Sequence, residues 1–118
     1  MSLPPSVAAS LLDGKVFEAE LTEVGHATAT PSRLVFRGGT LVATAYQDRG
    51  FGEGPYTAVR ARPGTIGFTS RVTQGQRPDE FHEWSGEIRG RQILGRMVWT
   101  HADGHQIEYA FQGRRRSD

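Results

Sequence analysis

The sequence predicts an all-β fold: about eight antiparallel strands closed into an up-and-down barrel, with a short N-terminal helix. Three observations carry that prediction. The 15 glycines of the 118 residues break the chain into short runs rich in β-branched and aromatic residues, which favours strands over helices. The connections alternate in length, with tight hairpin turns at Gly38-Gly39, Pro63-Gly64 and Gly90-Arg91 between longer stretches. The last three segments, Phe81 to Arg89, Gln92 to His101 and His105 to Gly113, alternate regularly enough to fix a register.

Taken in order, Pro5 suits a first helical turn, Val7 to Leu12 is apolar, and Gly14 ends the segment, which gives the helix. Strands follow at Lys15 to Glu23, Arg33 to Arg37, Thr40 to Tyr46, Tyr56 to Arg62 and Thr65 to Thr73, ahead of the three named above. The long connections are Val24 to Ser32, Gln47 to Pro55 and Gln74 to Asp79. In a meander, alternate connections lie at opposite ends. The long ones therefore gather at a mouth, and the tight turns close the other pole. A two-sheet sandwich would need crossing connections that this hairpin series does not supply.

A two-residue turn at Gly90-Arg91 sets His82 against Trp99, Trp84 against Met97, Gly86 against Gly95 and Ile88 against Ile93. A two-residue turn at Asp103-Gly104 would put Glu108 on the Trp99 face. A three-residue loop, with Gly104 left-handed, instead pairs His101 with His105, Trp99 with Ile107, Met97 with Tyr109 and Gly95 with Phe111. The same parity turns Phe17, Ala19, Leu21, Leu34, Phe36, Leu41, Ala43, Thr57, Val59, Ile66, Phe68, Ser70 and Val72 inward. Charged residues such as Glu18, Glu20, Arg60, Arg71, Glu83, Arg96 and Glu108 face water.

Size and composition narrow the function. A chain of this length makes one domain, here residues 15 to 113, between an N-terminal segment and a basic tail at 114 to 118. With 14 Lys+Arg against 13 Asp+Glu, no general basic surface exists for nucleic acid. Arg114-Arg115-Arg116, without aromatic neighbours, reads as a solvated terminus. The absence of cysteine excludes disulfides, thiolate metal sites and a cysteine nucleophile. No stretch approaches the roughly 20 apolar residues that span a bilayer, and Met1 to Asp13 lacks a leader's pattern, so no membrane is expected and the cytoplasm is the default compartment.

Laid out this way, Lys15 to Gly113 resembles the calycin superfamily of up-and-down barrels, which includes lipocalins, fatty-acid-binding proteins and avidins. The resemblance implies a helix at the closed end, a long first loop at the mouth and a binding cavity within. Gly14-Lys15-Val16-Phe17, then Gly50 to Tyr56, then Trp84 to Ile88 with a later Trp99, look like small bacterial lipocalin-like domains, a likeness that implies no activity. Trp84-Ser85-Gly86 followed by Trp99 is similar to the spacing of two biotin-contacting tryptophans in avidins. The first strand lacks the asparagine and serine an avidin would use there, and no third tryptophan exists.

The candidate ligand-binding residues are Thr57, Phe68, Ser70, His82, Trp84 and Trp99. Beside Gly86 and Gly95, the two indoles would wall a cavity for an apolar or aromatic molecule, or else fill the core together with Phe111. Thr57 and Ser70 would face each other across the Pro63-Gly64 hairpin and offer hydroxyls to a ligand or to each other. All four histidines, His26, His82, His101 and His105, fall at the mouth; His101 and His105 are the weak metal candidates, in a spacing that matches no metal motif. Glu23, Asp48, Glu53 and Asp79 border the mouth without forming a catalytic constellation, so no catalytic residue and no cofactor are assigned. Gly50 to Pro55, with Phe51 at its centre and Tyr46 and Tyr56 at its base, reads as a flap or a braced loop. Outward Leu94, Val98 and Ala110, and a second outward pair, Val35 and Val42, favour a homodimer. The expected function is a non-enzymatic binding module for a small apolar or aromatic molecule. The alternatives are a solid-core interaction domain and an enzyme using the mouth histidines.

Overall fold

The computed structural model describes residues 11–116, and these form a closed barrel of eight antiparallel strands in sequence order. The strands are β1 (Val16–Glu23), β2 (Ala29–Arg37), β3 (Thr40–Ala43), β4 (Glu53–Arg62), β5 (Thr65–Gln74), β6 (Arg77–Arg89), β7 (Gln92–Thr100) and β8 (Gln106–Arg115). A single 3-10 helix, η1 (Thr44–Arg49), lies between β3 and β4. The wall closes where β1 pairs with β8, setting Ala19 against Gly113 and Leu21 against Phe111. Closure removes the unpaired edges that an open sheet of this composition would present.

The last two hairpins have the register that the sequence predicts. His82 pairs with Trp99, Trp84 with Met97, Gly86 with Gly95 and Ile88 with Ile93. On the next strand Trp99 pairs with Ile107, Met97 with Tyr109 and Gly95 with Phe111. Gly104 takes φ +95°, the left-handed geometry of the three-residue loop, and the His101 amide donates to the His105 carbonyl at 2.9 Å.

The β4–β5 hairpin departs from expectation. Its register shifts between Arg60 and Arg62, because Ala61 is an extra residue on β4. One added residue reverses the face of everything beyond it. Tyr56 therefore pairs with Ser70 and Thr57 with Thr69; Tyr56 and Ala58 are buried, whereas Thr57 is exposed and Val59 is 62% exposed. Thr57 and Val59, expected inside, lie on the outer wall.

Strand boundaries also differ, among them the start of β4 at Glu53 and the end of β8 at Arg115, which takes Arg114 and Arg115 of the expected tail into the wall. The strand expected to reach Tyr46 ends at Ala43, where η1 begins. β2 starts at Ala29, which shortens the first mouth loop, and β6 starts at Arg77, so the third long connection contracts to Gly75-Gln76 with a register shift after Thr73. The expected N-terminal helix lies largely outside the described residues; its last part, Leu11 to Gly14, is a turn.

That turn caps the closed pole. Leu12 is fully buried, and the Gly14 amide donates to the Phe36 carbonyl at 2.7 Å. Asp13 Oδ1 accepts from the Gly39 amide at 3.0 Å and from the Tyr56 hydroxyl at 2.6 Å. Desolvation, followed by the bond to Asp13, pushes the Tyr56 hydroxyl above its ordinary pKa. Tyr56→Phe is expected to cost about 1 kcal/mol in urea denaturation, the worth of one such hydrogen bond. An unchanged midpoint would show that the contact does not hold the cap.

Candidate functional site

Inward side chains of the closed half form an edge-on array. Phe36 meets Phe17 at 6.0 Å, Tyr56 at 5.0 Å and Phe68 at 5.2 Å between ring centroids. These contacts have the T-shaped geometry that aromatic quadrupoles prefer. Phe111 reaches the middle of the barrel, 6.3 Å from Phe68 and 5.4 Å from Trp84. Its ring occupies the space left by Gly86 and Gly95, where a Cβ on either would lie within 3.0 Å of Phe111 Cζ. Of the two possibilities for that glycine pair, filling by Phe111 is the one realised.

The mouth half is built differently. β6 supplies His82 and Trp84, β7 supplies Trp99, η1 supplies Tyr46, and the segment between η1 and β4 supplies Phe51. All five are at most 6% exposed. Phe51 lies flat on the His82 imidazole, with centroids 3.8 Å apart and planes 11° apart. Trp99 stands edge-on to His82 at 4.7 Å, to Phe51 at 5.4 Å and to Tyr46 at 5.7 Å. Above it the stack continues outward: His101 is parallel to Trp99 at 4.7 Å, and His105 is parallel to His101 at 4.2 Å.

Most polar groups at the rim are matched; His101 Nε2 is the exception among them. Trp99 Nε1 donates to Glu80 Oε2 at 2.9 Å, and His101 Nδ1 lies 3.8 Å from the same oxygen. Arg49 sits over the Trp99 ring at 5.9 Å, within cation–π range. His105 Nδ1 and its amide both engage Asp103, and these bonds hold the Asp103 carboxyl below its usual range. Deeper in, Ser70 donates to the Pro55 carbonyl at 2.8 Å.

Three buried ring nitrogens have no hydrogen-bond partner: His101 Nε2 in the outer stack and, deeper in the barrel, His82 Nε2 and Trp84 Nε1. Burial, with a smaller contribution from His101, pulls the His82 pKa from 6.5 down to about 3. The imidazole is therefore neutral at physiological pH. Tyr46 is likewise pushed up to about 12, chiefly by desolvation and then by Tyr109, against the opposing charge of Arg49. The interior of the mouth is a neutral aromatic environment.

Five of the six expected ligand-binding residues, Phe68, Ser70, His82, Trp84 and Trp99, are buried on the inner face. Thr57 is the correction: the Ala61 bulge turns it outward, where its hydroxyl lies 2.9 Å from that of Thr69 rather than opposite Ser70. Of the histidines, His101 and His105 stack on Trp99 and His82 meets the same indole edge-on, whereas His26 bonds to Glu23 in solvent at 2.9 Å. Among the described residues, no three histidine, aspartate or glutamate side chains converge as metal ligands. No described helix is long and apolar enough to cross a membrane.

Tyr46 and Glu80 were not foreseen as site residues. Tyr46 reads as the end of a strand, and nothing local marks Glu80 as the partner of an indole 19 residues away. Phe51 did carry a signal, an isolated aromatic between Gly50 and Gly52. No known family model, curated protein or solved structure matches this chain.

Proposed function

We propose that the barrel is a binding module on the calycin plan, holding a small apolar or aromatic molecule in its mouth half without transforming it. The observation that carries this reading is the pair of unmatched buried nitrogens, His82 Nε2 and Trp84 Nε1. Buried polar atoms are normally hydrogen-bonded, and leaving one unmatched costs about 1–3 kcal/mol. Other buried polar groups meet that requirement, Ser70 with Pro55, Tyr56 with Asp13 and Trp99 with Glu80, while His101 Nε2 in the outer stack is a third unmatched nitrogen. Of the three exceptions, two fall at successive inward positions of β6 and mark a place for a polar atom brought from outside.

The surrounding surface suits the rest of such a molecule. Trp84, Trp99 and His82 offer aromatic faces and edges, with Phe68 and Ser70 below them. His82, held neutral by burial with a pKa of about 3, is a poor base near neutral pH, which favours binding over acid–base chemistry at this seat. Titration of tryptophan fluorescence with small apolar and aromatic probes is expected to give saturable quenching at one site per chain. A flat signal across the whole set would remove the reading.

The outer wall supports a homodimer. Leu94 is 38% exposed on β7, and Val98 and Ala110 share its outward face. Val42, of the other expected outward pair, is only 9% exposed and offers little. A mass that rises with concentration and is held at the monomer value by Leu94→Asp is the expected result; a monomer at every concentration would exclude this partner.

A further inference from the structure

The ring that lies on His82 comes from a connection, not from the wall. Phe51 is 2% exposed although it stands between η1 and β4, with glycines on both sides. Just before it, the connection is tied to the β5–β6 turn, where the Gly50 carbonyl accepts from the Gly75 amide at 3.0 Å and the Arg49 carbonyl from Gln74 Nε2 at 3.3 Å. The Phe51 amide donates to the Tyr46 carbonyl at 3.2 Å, and an isolated bridge joins Phe51 to Gln74. On one side Gly50 turns with φ +87°; on the other, Gly54 is pressed against the Arg71 carbonyl, where no side chain fits. The segment thus has a fixed end in β4 and a turning point at Gly50. A surface depression between Asp48 to Gly50 and Gln74 to Gln76 flanks it.

Phe51 satisfies only half of its seat. Its face covers the imidazole, but a phenyl ring carries no acceptor; His82 Nε2 on the covered ring remains unmatched, as does Nε1 of Trp84, whose ring stands edge-on to His82 at 6.3 Å. A planar guest with an acceptor atom would keep the stacking and add the missing hydrogen bond. The indole N–H only donates, so an acceptor is required; a neutral imidazole adapts through its tautomer. A charged guest is disfavoured, since the interior rings supply no counter-charge.

We infer that Phe51 is a built-in place-holder, and that the molecule replacing it on His82 is a flat, uncharged heteroaromatic bearing a hydrogen-bond acceptor for Trp84 Nε1. This inference rests on the binding-module reading and narrows it to one seat and one ligand class. Swinging the Phe51 segment aside about Gly50 breaks its bridge to Gln74 and the Gly75-to-Gly50 bond, and the free energy of ligand binding is reduced by that of these losses and of expelling the phenyl ring.

Quinoline and naphthalene, alike in shape but differing in one acceptor nitrogen, test it by calorimetric or fluorescence titration. The wild type is expected to prefer quinoline about tenfold, the worth of one buried hydrogen bond. Trp84→Phe is expected to abolish the preference while naphthalene still binds. Phe51→Ala is expected to tighten both probes about tenfold by removing the competitor, with Phe51→Leu as a second variant that fills the space but cannot stack. Equal binding of both probes by all four proteins would overturn the place-holder and leave the binding module standing. Binding by Phe51→Ala alone, without preference for quinoline, would signify a manufactured cavity and overturn it too. No binding by any of the folded proteins would remove both readings together.

Discussion

Gly95→Ala is expected to destabilise the barrel by about 3 kcal/mol or more, the upper range for overpacking. A Cβ at this position would overlap the Ser85 carbonyl oxygen and lie 2.6 Å from Gly86 Cα and 2.8 Å from Phe111 Cζ. The first two are backbone atoms of the neighbouring strand, so no rotamer change relieves them. Trimming Phe111 is therefore not expected to rescue the variant. Gly67→Ala is the matched control. It lies on the outer face opposite Val59, where the nearest atom to a new Cβ is 3.9 Å away, and its φ is not positive. There the substitution is expected to be neutral or to stabilise by about 0.5 kcal/mol through loss of unfolded-state freedom. Urea denaturation of the two variants checks both signs; equal effects would contradict the packing described around Phe111.

The second large effect is expected in acid. His82 is held neutral in the folded barrel with a pKa of about 3, against 6.5 for an ordinary histidine. Between those values the unfolded chain binds a proton that the folded chain refuses. Stability from this group is therefore full above about pH 6.5 and is lost as pH falls toward the folded value. The slope reaches about 1.4 kcal/mol per pH unit, one proton's worth. His82→Phe removes that proton from the balance and keeps a ring beneath Phe51. Glu80 and Arg49 line the same cluster in both proteins, and His101, which acts on His82 as the smaller cause of its shift, is present in both, so the comparison reads His82 together with its coupling to His101. Unfolding free energies measured from about pH 7 to pH 4 are expected to fall more steeply for the wild type. Parallel curves would show that His82 is not buried in neutral form.

Much of the wall was legible because the chain votes clearly where one face is apolar. From Phe81 to Gly113 the inward set contains His82, Trp84, Ile88, Ile93, Met97, Trp99 and Phe111, and the outward set is charged or polar at Glu83, Glu87, Arg89, Arg96 and Gln112. Only one register satisfies that pattern. β4 offered no such vote. In Tyr56-Thr57-Ala58-Val59 both faces carry an apolar residue, so either parity gives a plausible interior. The deciding bulge at Ala61 precedes an ordinary Pro63-Gly64 turn, and no residue type announces it. The candidate site divides the same way. Its strand residues followed from register, whereas Tyr46 and Phe51 enter from a connection whose path depends on tertiary contacts with β2, β5 and β6.

The reading of the mouth as a ligand seat centres on the indole N–H of Trp84. A nitrogen–proton correlation spectrum of labelled protein contains two indole signals, since the chain has two tryptophans, and Trp84→Phe assigns them. Trp99 already donates to Glu80, whereas Trp84 Nε1 has no partner. On saturation with quinoline the Trp84 signal is expected to move downfield as it gains an acceptor, well beyond any shift at Trp99. A Trp84 signal that stays in place while quinoline binds would contradict the seat proposed for it.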